Sequence, residues 1–469
     1  MPEIVNFGGN VRFVPAEYVE PADEQELLAV LARHASSKIR VVGSRHSWSD
    51  VVVTAGCLIN MNRFRSIEIR EIDGQTYVTA GAGCQVKQLL AELNRQGLTL
   101  PSVGLISEQT ISGATATGTH GSGKHSLSHY LSAVRVACFA GEDGAATIVD
   151  IEEGDELRAA RCSLGCLGVV VAVTLPCVPQ YRVAEKATPC ETLEETLALE
   201  ERSPLQQFFF FPHSWKFFAQ ERAKVDEPKS RSEPIYRIYW FLGIDIGLHL
   251  LVKLSAAWLR SRAMVRFLFR HLIPMCLFPK WRVVGRSDQM LIMEHELFRH
   301  LELEAFVPDR NLAGALELVR IIVGQASGAL EEVPQEWSER FAEAGLTEKF
   351  ASLKGVFMHH YPICIRKVLQ DDTLISMASG DDAAWYAISF ITYVRPRDAF
   401  FQMATFLAES LALFYEGRIH WGKWFPLEAK QVERMYPHAE RFLEITRRFD
   451  PHGVFRNDFV EKVLPRRDP

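Results

Sequence analysis

Two loops carry residue types that can grip a polyphosphate. In the first, Val42-Gly43-Ser44-Arg45-His46-Ser47-Trp48 follows a short apolar run at 39–42, and a second apolar run follows at 51–53. Glycine permits a tight turn, and successive backbone N–H groups in such a turn can converge on one anion. His46 stands at its centre. A plain turn with a surface histidine fits this stretch as well, because Gly and Ser mark turns in any protein. The second loop is Ile111-Ser112-Gly113-Ala114-Thr115-Ala116-Thr117-Gly118-Thr119-His120-Gly121-Ser122-Gly123. Small residues with free N–H and hydroxyl donors let a backbone lie directly against phosphates.

Two named motifs compete for the second loop. The dinucleotide fingerprint G-x-G-x-x-G does not fit, because Gly113 and Gly118 are too far apart and no acidic residue follows at the required place. The phosphate loop G-x-x-x-x-G-K-[ST] is nearly met by Gly118, Gly123 and Lys124. It fails at His125, where a hydroxyl for magnesium is needed, and no clean apolar strand precedes it. A nucleotide-hydrolysing reading is therefore disfavoured.

The elements that must position these loops are short. Residues 21–28 open a helix with Asp23 as its N-cap and Leu27, Leu28, Val30 and Leu31 as its apolar stripe. Strands are predicted at 39–42, 58–61, 67–69, 77–80, 134–139 and 146–149, with a helix at 86–96 ended by Gly97. Short strands mixed with short helices describe an α+β or α/β domain. After 180 the pattern changes. Strands are expected at 208–211, 301–307, 357–366 and 387–394, and helices at 194–201, 311–324 and 399–414.

Residues 235–278 are strongly apolar, with Arg237, Lys253, Arg260, Arg262, Arg266, Arg270, Lys280 and Arg282 interleaved or close behind. No stretch reaches about 18 uncharged residues, so a spanning helix is not expected. A basic amphipathic segment on an anionic membrane is one reading. The favoured one is a helical insertion packed on the body or on a second subunit.

Composition bounds the rest. The chain has 469 residues and a formal net charge of −6, enough for two or three domains and against a dedicated nucleic-acid binder. The nine cysteines form no CxxC and no paired zinc knuckle, so no metal site is expected, and scattered thiols suggest the cytoplasm. Residues 1–13 lack the pattern of a secretory leader.

Taken together, five segments resemble one family, in its order and spacing. They are Val42-Gly43-Ser44-Arg45-His46-Ser47, Ala116-Thr117-Gly118-Thr119-His120-Gly121-Ser122-Gly123, Leu164-Gly165-Cys166-Leu167-Gly168-Val169-Val170, His420-Trp421-Gly422-Lys423, and Asp450-Pro451-His452-Gly453-Val454-Phe455-Arg456-Asn457. The chain is similar to flavin-linked oxidases of the vanillyl-alcohol-oxidase type, and within them to the aldonolactone and alditol oxidases. The resemblance implies an α+β, two-domain PCMH-type fold. Residues 1–178 would bind FAD, 179–418 would form an antiparallel-sheet cap with the insertion at about 235–285, and 419–469 would return to the FAD site.

It also implies roles. FAD would lie against residues 42–48, Thr110, Gly113, Thr117, Gly118, Thr119 and His120, with Val169 and Val173 beside the adenine. His46 would bond the flavin covalently. His420 and Lys423 would stand near the flavin, with Lys423 as a fixed cation. Gly104 would leave dioxygen a path to the flavin, favouring an oxidase that releases peroxide. The reaction would oxidise a CH–OH group of a small alcohol or lactone.

The polyol-oxidising relatives carry Glu-x-Arg in a cap strand. Here Arg366 is kept, but Cys364 replaces the glutamate. Thr392 is matched, but Ile391 precedes it where those relatives have histidine, and a serine expected near 105 is Leu105. A register error would move the acid elsewhere, with Glu304 the main candidate. The alcohol is therefore expected to be less polar than an alditol. Arg366 could also make Cys364 reactive by lowering its pKa. Two alternatives stay open: a dehydrogenase or reductase using another acceptor, and a degenerate flavin-binding protein.

Overall fold

The computed structural model describes residues 2–277, 281–293, 297–395 and 397–466. Phe278 and Lys280 of the apolar basic stretch lie outside the described residues.

Two small sheets make the first half. Glu17–Val19, Cys57–Asn60 and Ile39–Val42 form a parallel sheet with Cys57–Asn60 in the middle. A five-stranded antiparallel sheet runs Thr147–Ile151, Ala133–Cys138, Val169–Pro176, Gln75–Gly81, Ile67–Ile72. The helix Glu24–Arg33 starts as its sequence asks, with the Asp23 carboxylate accepting from the Glu26 N–H at 2.9 Å.

An eight-stranded antiparallel sheet follows: Val283–Arg286, Arg182–Cys190, Phe217–Val225, Gln207–Phe210, Ile363–Leu369, Ala384–Tyr393, His300–Pro308, Arg418–Ile419. Helices Leu312–Ser327 and Asp398–Tyr415 pack on the strand His300–Pro308. Its other face turns toward the first half. With both faces covered, nearly every residue of that strand is buried, and apolar side chains alternate with Glu302 and Glu304.

The C-terminal segment is stitched back onto the first half. The Ile39 N–H donates to the Val454 carbonyl at 2.8 Å, and the Phe139 N–H to the Phe449 carbonyl at 2.9 Å. The buried Arg40 guanidinium donates to the carbonyls of Val51 at 2.7 Å, Leu164 at 2.6 Å and Phe455. One side chain thus closes three segments by satisfying carbonyls that burial would otherwise strand.

Two local expectations change. The cap strand expected at 357–366 is Ile363–Leu369. The second loop is not all loop, because Ile111–Ala116 is a short helix. That helix precedes Gly118, and the Gly123 N–H donates to the Lys367 carbonyl at 2.8 Å. The strand-loop-helix order of a nucleotide-hydrolysing phosphate loop is therefore absent here.

Residues Glu233–Trp258 form one continuous helix of 26 residues containing an 18-residue stretch of mean hydropathy 1.4, long and apolar enough to cross a bilayer by length and composition. The sequence reading missed this because it required an uncharged run, and Asp245 and Lys253 interrupt this one.

Candidate active site

A cavity of about 360 Å³ lies between the two small sheets and the inner face of the large one. The first loop forms part of its wall, from Val42 through Gly43, Ser44, Arg45, His46 and Ser47 to Trp48. Arg45 adopts the left-handed conformation, φ 63°. Among the described residues, the N–H groups of Ser44, Arg45 and Ser47 meet no protein acceptor, so they are available to a phosphate. Gly43 is required by close approach: a Cβ there would stand 2.2 Å from Thr110 Oγ1. Thr110, Gly113, Thr117, Thr119 and His120 complete this wall.

The His46 ring stacks on Phe7, with centroids 5.1 Å apart and planes 20° from parallel. Burial pushes its pKa down to about 4, with Lys423 and His300 adding to the effect and Glu108 opposing it. The imidazole is neutral and keeps a nitrogen lone pair at physiological pH.

The polar chemistry sits on three neighbouring strands. Glu304 pairs across the sheet with Ser389, and Ser389 with Cys364, so the three share one row. Glu304 Oε1 accepts from Ser389 Oγ at 2.7 Å. It also lies 3.4 Å from His120 Nε2 and 3.9 Å from Arg366 Nη1. No hydrogen bond joins Glu304 Oε2 to the described residues, and Glu304 lines the cavity. Burial raises the Glu304 pKa, but His120, Lys423 and His420 outweigh it and hold the carboxyl well below its usual range. His120 Nδ1 faces the Gly121 carbonyl at 2.9 Å while Nε2 faces the carboxylate. The ring is thus held between two oxygen atoms.

The turn carrying His420 and Lys423 is zipped to the same strand. The His420 N–H donates to the Glu304 carbonyl and the Trp424 N–H to the Glu302 carbonyl, both at 2.9 Å. Lys423 forms a buried ion pair with Glu302, and its Nζ lies 4.6 Å from the centre of the Trp48 ring. Burial raises the Glu302 pKa, yet Lys423 and His300 bring it down to about 2. The cation expected beside the flavin thus has a carboxylate partner. Burial depresses His420 to about 3.

His120, Glu304 and His420 hold their ligand atoms within 4.8 Å of one another, close enough to bind a metal ion. Nothing in the sequence spacing pointed to that grouping.

Several expected residues fall elsewhere. Val169 and Val173 turn into the core, and Val170 forms the cavity wall instead, because side chains alternate along Val169–Pro176. The same parity error moves Thr392 away: it is buried 3.4 Å from His360 Nε2, while Ser389 and Ile391 face the cavity. Gly104 does not line the cavity. A Cβ on it would stand 2.5 Å from Thr119 Cγ2, and Leu105 and Ile106 form the wall there, so the argument for an oxygen path at Gly104 falls. Gly118 also lies behind the wall, against Met377.

Cys364 and Arg366 both line the cavity. The carboxylates that face the cavity beside them come from the strand carrying Glu302 and Glu304. Burial raises the Cys364 pKa more than Arg366 lowers it, so the thiol stays protonated. Sequence reading named Glu304 only as a fallback and missed Glu302, Ser389, His249 and Tyr361. The signal for the first two was present: carboxylates two residues apart in an otherwise apolar strand.

The D-arabinono-1,4-lactone oxidase family matches residues 173–463, and an FAD-binding domain family matches 15–143. The chain belongs to the D-arabinono-1,4-lactone oxidase family. It is 44% identical to a long-chain alcohol oxidase from an uncultured marine euryarchaeote, over 98% of this chain and 96% of that one. It is 28% identical to the L-gulonolactone oxidase of Mus musculus, over 96% and 95%. The fold is that of cholesterol oxidase from B. sterolicum, with TM-score 0.74 and 14% identity over 99% of this chain and 96% of that chain. This lactone-oxidase-family chain is thus an FAD-linked oxidoreductase acting on CH–OH donors. The residues fit the cofactor, since a small-residue wall with unpaired N–H groups meets a cavity long enough to touch both halves.

Gly43→Ala tests the cradle. The added methyl has to displace Thr110, so the purified variant is expected to hold less than about one-tenth of the wild-type FAD, read from the ratio of flavin to protein absorbance.

Proposed function

We propose that this enzyme oxidises long, apolar alcohols, with dioxygen as electron acceptor and with FAD bonded to His46. The observation that carries the reading is the division of the cavity wall. One part gathers Glu304, His120, Ser389 and Arg366. The other is apolar and aromatic: Leu105 and Ile106 meet Met293, and Phe298 stacks on His249 at 3.6 Å, with Tyr361 beside it. A polyol would leave hydroxyls unpaired along Leu105, Ile106, Met293 and Phe298.

FAD supplies the two-electron acceptor that takes hydride from the carbinol carbon and passes the electrons on. The chain's own residues handle the hydroxyl. Glu304 Oε2 accepts its hydrogen bond and takes the proton as the carbon is oxidised. His120, Ser389 and Arg366 fix the carboxylate through Oε1. Arg366 also donates from Nε to Gln207 Oε1 at 3.1 Å, which orients the guanidinium. Phe7 holds the neutral His46 ring in place to form the covalent bond. Dioxygen as acceptor is supported by the name of the 44%-identical relative.

Chain length is the decisive test. Each methylene that enters the apolar part adds about 0.8 kcal/mol, so kcat/KM is expected to rise roughly fourfold per carbon until the cavity is filled, with peroxide as product. Faster turnover of alditols or aldonolactones would overturn the substrate class, and turnover with a dye but not oxygen would overturn the acceptor.

Glu304→Gln keeps the shape and removes the proton acceptor. It is expected to slow flavin reduction by about 100- to 1,000-fold in stopped flow with FAD content unchanged. Because Glu304 is held below the usual carboxylate range, the wild-type rate is expected to stay flat through about pH 4–5, where an unperturbed glutamate titrates.

Acid precipitation reads the covalent bond. Flavin colour is expected in the pellet for the wild type and in the supernatant for His46→Ala.

A further inference from the structure

We propose that the helical insertion 233–277 is a docking surface for an anionic lipid membrane, against which the substrate cavity opens. Ten of the fourteen exposed large apolar side chains found among the described residues lie within it. Ile235, Ile238, Leu242, Leu250, Leu254 and Trp258 are spaced three, four or eight residues apart along Glu233–Trp258, so they make one stripe on one side of the helix. Trp258 is 79% exposed.

The opposite side of this helix is already used. Val252 is buried, and Trp240, Ile244, Leu248 and Leu251 pack with it against Phe211, Phe218 and Phe269. Asp245 and His249 line the cavity. A spanning orientation would strip this face from the protein core, so the helix lies along the membrane instead of crossing it. The same helix then has one side on the cavity and the other on the lipid.

Charge selects the occupant. Residues 231–277 carry seven basic side chains, Arg231, Arg237, Lys253, Arg260, Arg262, Arg266 and Arg270, against Glu233 and Asp245, in a chain whose formal net charge is −6. A second copy docking by the same face would set two positive patches together, which is unfavourable. Anionic headgroups supply the opposite charge, and tryptophan beside arginines at 258–262 suits the boundary between headgroups and acyl chains. The role of the surface rests on the reading above, because a long apolar alcohol partitions into lipid. The docking itself does not need turnover.

The test is co-sedimentation of the full-length, FAD-loaded protein with vesicles of phosphatidylcholine alone or mixed with phosphatidylglycerol. Wild type is expected to sediment with the mixed vesicles. Partitioning is expected to fall about tenfold or more with phosphatidylcholine alone, and equally for L254E/W258E on mixed vesicles. That variant is expected to keep its FAD and its turnover of a short, soluble alcohol. Equal sedimentation of wild type and variant, or none by either, overturns the proposal. So does a dimer in size exclusion that the variant dissolves while no vesicle is bound. Protein that sediments but oxidises no alcohol removes the substrate reading and leaves this one standing.

Discussion

Two carboxylates in the middle of a covered strand are the constraint on which the rest depends. Glu302 and Glu304 are both buried in His300–Pro308. An unpaired buried carboxylate costs several kcal/mol, so each must find a partner or lose its charge. The partners come from separate parts of the chain. His120 reaches Glu304 from the second loop, Arg366 from a strand two places along the sheet, and Lys423 reaches Glu302 from the C-terminal turn. Neutralising that one strand therefore brings the two halves of the molecule and the tail to a common point. The backbone reinforces this, since the same residues' carbonyls accept from His420 and Trp424. The site is a by-product of satisfying the strand, and the reverse is equally true.

Much of the fold was readable because it depends on local signals. The Asp23 cap and the glycine at 97 each report on a few neighbouring positions, and the two helices they bound stand where they were read. The loops built around His46 and His120 were legible for the same reason. What failed was parity and partnership. Val169 against Val170, and Thr392 against Ser389, differ by the side of a strand they occupy, which is fixed by what packs on each face. Gly104 looked open to the site because a glycine has no side chain, yet its space is taken by Thr119. The grouping of His120, Glu304 and His420 spans three hundred residues and follows from sheet order alone. No local pattern encodes that.

The thiol of Cys364, where the resemblance led one to expect a carboxylate, bears on how the cavity is divided. Glu304 and Cys364 lie in one row, separated by the strand that carries Ser389, so their backbones are roughly 10 Å apart. An acid at 364 would compete with Glu304 for Arg366, and one guanidinium cannot neutralise both. Polar partners would then be needed along the wall, and Leu105 and Ile391 are not suited to supply them. A thiol kept protonated by burial makes no such demand. It presents a soft, nearly apolar surface and leaves Arg366 to orient the acid two strands away. The buried acids of the cavity wall, Glu302 and Glu304, both lie on the strand next to the C-terminal turn, so an alcohol whose hydroxyl bound there would have the remaining wall for its carbon chain.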